Sequence, residues 1–146
     1  KEMTFLVKKA KEIPHSLLLK NEKHLQRDMV IHLQKAQEWL FATRERAEAL
    51  AKKGHFGIFG TSIASVWLAT EIEDKVSFFV DEDINRIRSD FMGKPVYLPQ
   101  EVSEDARVFL AFPEQIAIAI LSRMKEYRAQ FHLPPPQPKD KLEEPC

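Results

Sequence analysis

The sequence lacks a set of cysteines, an excess of either charge and an apolar run of membrane-spanning length. Its one cysteine is Cys146, so no intrachain disulfide can form. Such a chain suits a reducing compartment, and we expect a cytoplasmic protein. Lysine plus arginine (22) equals aspartate plus glutamate (22), so charge gives no reason to expect a nucleic-acid partner. No apolar run approaches the roughly 20 residues of a membrane span, and we expect no membrane partner.

Motifs of common catalytic and metal sites are also missing. The five histidines are scattered, without an H-x-x-x-H pair or a cysteine partner. The sequence contains neither a G-x-S-x-G elbow nor a G-x-x-x-x-G-K-[ST] loop. Cys146 has no base near it in sequence that would activate the thiol. We therefore predict no metal site and no catalytic residue in this chain.

The length of 146 residues is typical of one domain with a sizeable core. Composition divides the chain into a leader (residues 1–20), a domain (residues 21–133) and a tail (residues 134–146). The tail holds five of the nine prolines, and we predict that it is extended or disordered. The chain begins with Lys1 rather than methionine, which leaves open that it is part of a larger protein.

A long helix is predicted for residues 21–53, with Asn21 as its N-cap and Gly54 as its stop signal. Apolar residues recur along it at spacings of three and four and form one stripe: Leu25, Met29, Leu33, Ala36, Leu40, Ala47, Leu50 and Ala51. Such a stripe packs either on its own domain or on a partner, as in a coiled coil or a domain–domain contact. Both alternatives stay open from the sequence.

After Gly54 the pattern changes to short apolar strands that alternate with helices. Strands are predicted near residues 55–59, 76–80, 94–99, 107–112 and 131–133, and helices near 61–71 and 113–130. This alternation is typical of an α/β domain with a mainly parallel sheet. Right-handed crossovers then give a Rossmann-like sheet of four or five strands, flanked by helices. The expected strand order is 3-2-1-4, with the fifth strand beside the fourth if it forms.

The turn after the first strand is the main candidate for a binding site. Ligands of such sheets bind beyond the carboxyl ends of the strands. Gly60, Thr61 and Ser62 open a helix there, and its free amides and dipole suit a phosphate. Asp81 lies 81 − 60 = 21 residues after Gly60, near the spacing of an acid that binds ribose in dinucleotide folds.

This loop departs from the dinucleotide pattern G-x-G-x-x-G, because Ser62 and Ser65 replace the second and third glycines. A single nucleotide, a sugar nucleotide or one phosphate fits such a loop more easily than a dinucleotide. A purely structural alternative stays open, in which Gly60 makes a tight turn and Thr61 or Ser62 caps the helix.

The acidic segment after the second strand carries a similar ambiguity. Asp81 and Glu82 either bind sugar hydroxyls or belong to a solvated loop. Arg86 either holds a phosphate or neutralises these acids, and both interpretations have equal support. The predicted ligand-binding residues are Gly60, Thr61, Ser62, Asp81, Glu82 and Arg86.

Several short motifs resemble the C-terminal Rossmann-like domain of SAM-dependent sugar C-methyltransferases. They are Ala-Lys-Lys-Gly at residues 51–54, Phe-Gly-Ile-Phe-Gly-Thr at 56–61, Phe-Val-Asp-Glu-Asp at 79–83, Gly-Lys-Pro-Val at 93–96, Phe-Leu-Ala-Phe-Pro-Glu at 109–114 and Phe-His-Leu-Pro-Pro at 131–135. The layout is also similar to the nucleotide-sugar-binding domain of some sugar acetyltransferases. The resemblance covers roughly residues 24–136.

The resemblance implies a domain that closes over a sugar-nucleotide substrate while a separate domain, missing here, binds SAM. Our first prediction is therefore an accessory domain for a nucleotide-activated sugar or similar phosphorylated metabolite, without chemistry of its own. The sequence assigns no cofactor to it, and SAM would be bound only by the missing domain. The alternative is a degenerate Rossmann fold that acts as an interaction or dimerisation module through helix 21–53, with a second copy or a catalytic domain as partner. An NAD(P)-dependent oxidoreductase fits less well, since the loop lacks two glycines.

Overall fold

A computed structural model describes the backbone of residues 15–138 and the side chains of residues 24–138. Residues 1–14 of the predicted leader and residues 139–146 of the predicted tail lie outside the described residues. The chain divides into two compact units after Ala36. The described part of the first unit is helical, and the second unit contains the sheet.

Helix α1 spans His15–Ala51 and has 37 residues. It begins six residues before Asn21, so the prediction that Asn21 caps this helix is wrong. The segment from His15 to Lys20 is rich in leucine and contains no residue that breaks a helix, so the helix continues through it. The C-terminal end agrees with the prediction to within two residues, and Gly54 follows with a φ of +134°.

The other elements alternate as expected for an α/β protein. In chain order they are β1 (Phe56–Phe59), α2 (Ile63–Ile72), β2 (Phe78–Val80), β3 (Asp90–Phe91), β4 (Lys94–Tyr97), β5 (Arg107–Leu110), α3 (Glu114–Arg123) and β6 (Gln130–His132). Short 3-10 turns at Glu73–Lys75, Pro99–Glu101 and Met124–Glu126 complete the connections.

The sheet has six strands in the order β3-β4-β2-β1-β5-β6. All neighbours are parallel except the β3–β4 pair. The five parallel strands, numbered along the chain, therefore lie in the order 3-2-1-4-5, which agrees with the predicted order. The α/β class, the mainly parallel sheet and the long N-terminal helix are confirmed, whereas the sheet has six strands instead of the four or five predicted.

The additional strand is β3, which pairs antiparallel with β4 through a tight hairpin. Met92 and Gly93 form its turn with φ angles of +53° and +72°. Two successive positive φ angles match the right-handed twist of a two-residue hairpin. Met-Gly is not one of the sequence pairs that mark such turns, and β3 has only two residues, so no sequence pattern indicated this strand.

Apolar side chains cover both faces of the sheet in the second unit. On one face, Ala47 of α1 and Leu68 of α2 pack with Ile58, Phe79 and Phe109 of the strands. On the other face, α3 contributes a second set, in which Ala117 and Ile120 pack with Val80, Val108 and Leu110. The alternation of side chains along each strand produces these two layers.

The beginning of the predicted tail, residues 134–138, forms neither helix nor strand and contacts the second unit. Pro134 is buried, and the Pro135 carbonyl accepts a hydrogen bond of 2.9 Å from Trp39 Nε1 on α1. Among the described helices, none combines the length and apolarity that would be needed to cross a membrane.

Candidate ligand-binding site

Three loops follow the carboxyl ends of the central parallel strands. β1 ends at Phe59, β2 at Val80 and β5 at Leu110, and β1 lies between the other two. The chain goes from β1 to β2 on one side and later returns to β5 on the other side. The gap between the ends of β1 and β5 is therefore the place where strand order reverses, which is where ligands of open α/β sheets bind.

Gly60 makes the sharp turn that leaves β1. Its φ is +85°, and its amide donates a 2.6 Å hydrogen bond to the Val80 carbonyl. A Cβ atom at this position would lie 2.8 Å from Cζ of Phe112. Backbone conformation and lack of space both favour glycine here. Gly60 thus brings the next two residues against the end of β2.

Thr61 and Asp81 form the centre of a hydrogen-bond cluster at this turn. Asp81 Oδ2 accepts from the Thr61 amide at 3.1 Å and from the Thr61 hydroxyl at 2.8 Å. Its other oxygen accepts from the Asp83 amide at 3.0 Å. Asp81 is only 8% exposed, so its carboxylate is largely used by the protein itself. A ribose hydroxyl at Asp81 would have to compete with these donors.

Burial and hydrogen bonding act in opposite directions on the Asp81 carboxyl. Burial raises its pKa, but the donors from Asp83 and Thr61 and the charge of Arg86 lower the pKa by more. The net result is a pKa below the ordinary value for aspartate. The group is therefore ionised at neutral pH and holds the loop as a carboxylate.

Arg86 joins the same cluster from the loop after β2. Its Nη1 donates to the Thr61 hydroxyl oxygen at 2.6 Å and lies 3.4 Å from Asp81 Oδ2, while its Nε lies 3.5 Å from Asp83 Oδ2. These contacts neutralise the acidic segment, which was one of the two predicted roles of Arg86. Half of the Arg86 side chain is still exposed, so it remains open to solvent.

Glu82 forms an ion pair outside this cluster. Its carboxylate pairs with Arg123 at the end of α3, with 2.7 Å between Oε2 and Nη2. The structure therefore brings together Gly60, Thr61, Asp81 and Arg86 by direct contacts, and Glu82 binds to α3 instead. Both Glu82 and Arg123 are exposed, so their ion pair is a surface contact.

The two serines that replace glycines have defined roles at the start of α2. Ser62 is the N-cap, and its Oγ accepts from the Ser65 amide at 3.4 Å. Ser65 is fully buried, and its hydroxyl donates to the Phe59 carbonyl at 3.2 Å. The first-turn amides of Ile63 and Ala64 have no acceptor within the helix, as at any helix start. These two amides and the helix dipole can serve an anionic group.

An apolar cleft of about 210 Å³ opens beside the start of α2. Its walls come from α1, α2 and the residue after β5: Trp39, Leu40, Thr43, Ile63, Ala64, Trp67 and Ala111. Ile63 and Ala64 are shared between this Trp39–Trp67 cleft and the helix start. The hydrogen bond to Pro135 and the 2.7 Å bond from the Thr43 hydroxyl to the Trp39 carbonyl fix the wall on the α1 side.

The sequence did not predict the Trp39–Trp67 cleft. Trp39 on α1 and Trp67 on α2 are each half-buried, and both line the cleft. The sequence feature that could have indicated the cleft is the four-residue spacing of Ile63 and Trp67. This spacing places both residues on one face of the helix that follows the glycine turn.

The titratable groups of residues 24–138 include no candidate metal cluster and one half-buried histidine. No three histidine, cysteine, aspartate or glutamate side chains in this range lie close enough to hold a metal ion. His132 on β6 is half-buried, and burial followed by the charges of Arg107, Arg46 and Lys53 lowers its pKa. This imidazole is therefore neutral at neutral pH.

Comparisons with known proteins do not add a relative. No protein-family model, no curated protein and no solved structure matches this chain. The function must therefore be argued from the residues and the geometry above. The resemblance to sugar C-methyltransferases stays a prediction from short motifs.

Proposed function

We propose that the second unit is a Rossmann-like accessory domain that binds a nucleotide-activated sugar or a similar phosphorylated metabolite. The observation that carries this proposal is the position of the Trp39–Trp67 cleft, which adjoins the start of α2 between the ends of β1 and β5. One place thus offers an apolar wall for a ring and backbone amides for an anion. Ligands with both parts are the natural occupants of such a site.

The phosphate end of the ligand is assigned to the start of α2. The amides of Ile63 and Ala64 point their hydrogens out of the first turn, where the positive end of the helix dipole also lies. The Ser62 hydroxyl is beside them, and Gly60 gives the turn its shape. Thr61, Asp81 and Arg86 keep this turn in place and hold no phosphate themselves in this proposal.

The ring end of the ligand is assigned to the cleft. A volume of about 210 Å³ is smaller than a complete pocket for a drug-sized molecule, and it accommodates one ring system. The two indoles offer apolar, polarisable surfaces on which a base or a sugar face packs. The rest of a nucleotide sugar would lie outside the cleft, where another domain can reach it.

The chemistry is assigned to another domain, in keeping with the motif resemblance. A sugar C-methyltransferase of this kind would bind SAM elsewhere, and this unit would hold the sugar nucleotide. We propose no cofactor for the chain itself, and we keep cytoplasmic location as a prediction from its single cysteine.

A thermal-shift screen against nucleotides, nucleotide sugars, NAD(P) and SAM tests this proposal. A ligand at 100 times its Kd stabilises the fold by about 2.7 kcal/mol, a shift of several degrees for a domain of this size. We expect a shift with nucleotide sugars and none with NAD(P) or SAM. A shift with NAD(P) alone would support the oxidoreductase alternative, and no shift with any ligand would contradict the proposal.

The variant Ile63→Glu tests where on the molecule the ligand binds, and Ile118→Glu is its matched control. Ile63 is 88% exposed at the start of α2, and Ile118 is 49% exposed on α3. Both variants add one negative charge at an exposed isoleucine of a helix. We expect Ile63→Glu to abolish the ligand-induced shift by repelling phosphate, whereas Ile118→Glu keeps it. Equal shifts in both variants would place the ligand elsewhere.

The second candidate function is an interaction module, and the exposed apolar side chains of α1 favour it. Leu25, Met29 and Leu33 are 73%, 56% and 61% exposed. The sequence left two alternatives for the apolar stripe of α1, packing on its own domain or packing on a partner. In the described structure, these three side chains do not pack on their own domain. These three side chains belong to the first unit, whereas the cleft belongs to the second.

A further inference from the structure

The surface of the Trp39–Trp67 cleft is almost entirely apolar. Among its lining side chains, those of Trp39, Thr43 and Trp67 carry a polar atom. Trp39 Nε1 already donates to the Pro135 carbonyl at 2.9 Å. The Thr43 hydroxyl already donates to the Trp39 carbonyl at 2.7 Å, and Thr43 is only 1% exposed. The side-chain donors of the wall on α1 are therefore used within the protein and are not free for a ligand.

The indole N–H of Trp67 is the remaining side-chain donor of the cleft. It makes no hydrogen bond to another residue within the described range 24–138. A single donor does not distinguish the common nucleobases, because each of them carries at least one acceptor on its edge. Selection of one base needs several donors and acceptors that match the pattern of its edge. The lining residues, all within the described range, do not present such a set to a ligand.

An apolar wall of this kind suits a nucleobase better than a sugar. A sugar ring carries hydroxyl groups around its circumference, and to enclose them without hydrogen-bond partners costs free energy. A base has two flat faces without polar groups, and its polar edge can stay in water. Trp67 and Ile63 lie one turn apart on α2, and Ile63 is 88% exposed, so both offer apolar surface that a flat ring can cover.

We propose that the Trp39–Trp67 cleft stacks on the base of a nucleotide without reading which base it is, a proposal that rests on the function proposed above. The ligand class of the unit is then nucleotides and nucleotide sugars of any base, with a phosphate at the start of α2. The sugar of a nucleotide sugar lies beyond the diphosphate and outside the cleft. Selection of one nucleotide sugar over another is consequently made at the sugar.

Intrinsic tryptophan fluorescence tests the proposal, because the two tryptophans of the cleft are the only two in the chain. The full chain is titrated with UDP, CDP, GDP and ADP, and with glucose 1-phosphate and pyrophosphate as ligands without a base. Excitation at the red edge of tryptophan absorption avoids absorption by the bases. We expect all four nucleotides to quench the fluorescence with Kd values within about tenfold of one another, because stacking tolerates every base. The two ligands without a base should leave the fluorescence unchanged.

Substitutions at Trp67 separate stacking from general apolar contact. Trp67→Leu keeps an apolar side chain without a flat ring and should raise the Kd of all four nucleotides by about tenfold or more. Trp67→Phe keeps a ring and should raise the Kd less, with Trp39 as the fluorescent group in both variants. The matched control is Phe41→Leu, which removes the ring of a 51% exposed residue that does not line the cleft and should leave the Kd unchanged. The comparison of bases in the unmodified chain does not depend on these variants.

The outcomes that would overturn this proposal differ from the one that would overturn the proposed function. A preference of about 100-fold or more for one base would show that the edge of the base is read. Equal quenching by glucose 1-phosphate would place a sugar in the cleft, and an unchanged Kd in Trp67→Leu would exclude stacking there. A thermal shift with nucleotide sugars but without quenching would place the base elsewhere. The absence of both thermal shift and quenching would contradict the proposed function itself.

Discussion

Asp81 shows how a residue predicted to bind a ligand can instead shape the place where a ligand binds. Both of its oxygens accept hydrogen bonds from backbone amides, and Oδ2 also accepts from the Thr61 hydroxyl. These contacts join the loop after β1 to the loop after β2. The carboxylate therefore keeps the start of α2 in position, which is the role of a positioning residue.

Asp81→Asn should lower the free energy of unfolding by about 2 kcal/mol, since buried hydrogen bonds to a charged group are lost. The amide NH₂ would also place a donor next to the donors of Thr61. Urea unfolding followed by circular dichroism measures the change. The control is Glu82→Gln, which removes only an exposed ion pair with Arg123 and should cost less than about 1 kcal/mol. Equal losses in the two variants would contradict the role assigned to Asp81.

The stability of the wild type and that of Asp81→Asn should also depend differently on pH. The pKa of Asp81 is lower in the folded chain than in the unfolded chain, so ionisation of this group favours folding. Its contribution is complete above the unfolded pKa of about 4 and disappears as pH falls through the lower folded pKa. The stability difference between the wild type and Asp81→Asn should therefore shrink below about pH 4. A difference that stays constant down to pH 2 would contradict this.

At the scale of elements, the sequence was a good guide to the strands and a poor guide to contacts between elements. β1, β2, β4, β5 and β6 follow from apolar runs bounded by turn residues. Their order follows from the handedness of crossovers. β3 and the start of α1 were missed, because a two-residue strand has no periodicity and an uninterrupted helical segment has no internal stop.

Only part of the candidate site could likewise be predicted from the sequence. The sequence placed Gly60, Thr61, Ser62 and Asp81 at one edge of the sheet, because the carboxyl ends of parallel strands meet there. The hydrogen bonds of Asp81 depend on side-chain rotamers and on the φ of Gly60, which no periodic pattern encodes. The cleft depends on the approach of α1 to α2, and a pattern within one helix carries no information about that distance.

The β1–β2 pair contains a tight contact between Gly57 and Phe78, and substitutions there can test the packing of the sheet. Gly57 is opposite Phe78, and a Cβ on Gly57 would lie 2.3 Å from Cε2 of that ring. Phe78 is only 1% exposed, so its ring has little room to move. Gly57 therefore provides the space for the ring between the two strands.

Gly57→Ala should destabilise the fold by about 1–3 kcal/mol, as overpacking of a core does. In a Phe78→Leu background the same substitution should cost clearly less, because the smaller side chain leaves space for the methyl group. A double-mutant cycle on unfolding free energies measures this coupling. Strict additivity of the two substitutions would show that the contact is not the cause of the cost.

At the scale of the molecule, all buried residues among the side chains that the structure describes belong to the second unit. The first buried residue among the described side chains is Thr43, and both core clusters begin at Ala47 or later. The side chains of residues 24–36 are exposed, apart from a half-buried Lys35. The sheet and its three packed helices should therefore fold without the preceding residues.

A chain that begins at Gln37 should retain the free energy of unfolding of the second unit to within about 1 kcal/mol, since the described side chains that it loses, those of residues 24–36, are almost all exposed. It keeps Trp39 and its hydrogen bond to Pro135, so both walls of the cleft remain. Denaturant unfolding compares it with the full chain carrying Leu33→Glu, a substitution at an exposed side chain that would disrupt a contact between α1 helices, so that loss of pairing does not contribute to the difference. Under the interaction-module alternative, the shorter chain should have the mass of one chain, because Leu25, Met29 and Leu33 are gone. An unfolded product would show that residues before Gln37 belong to the core, and a stable dimer would show that pairing does not need these three side chains.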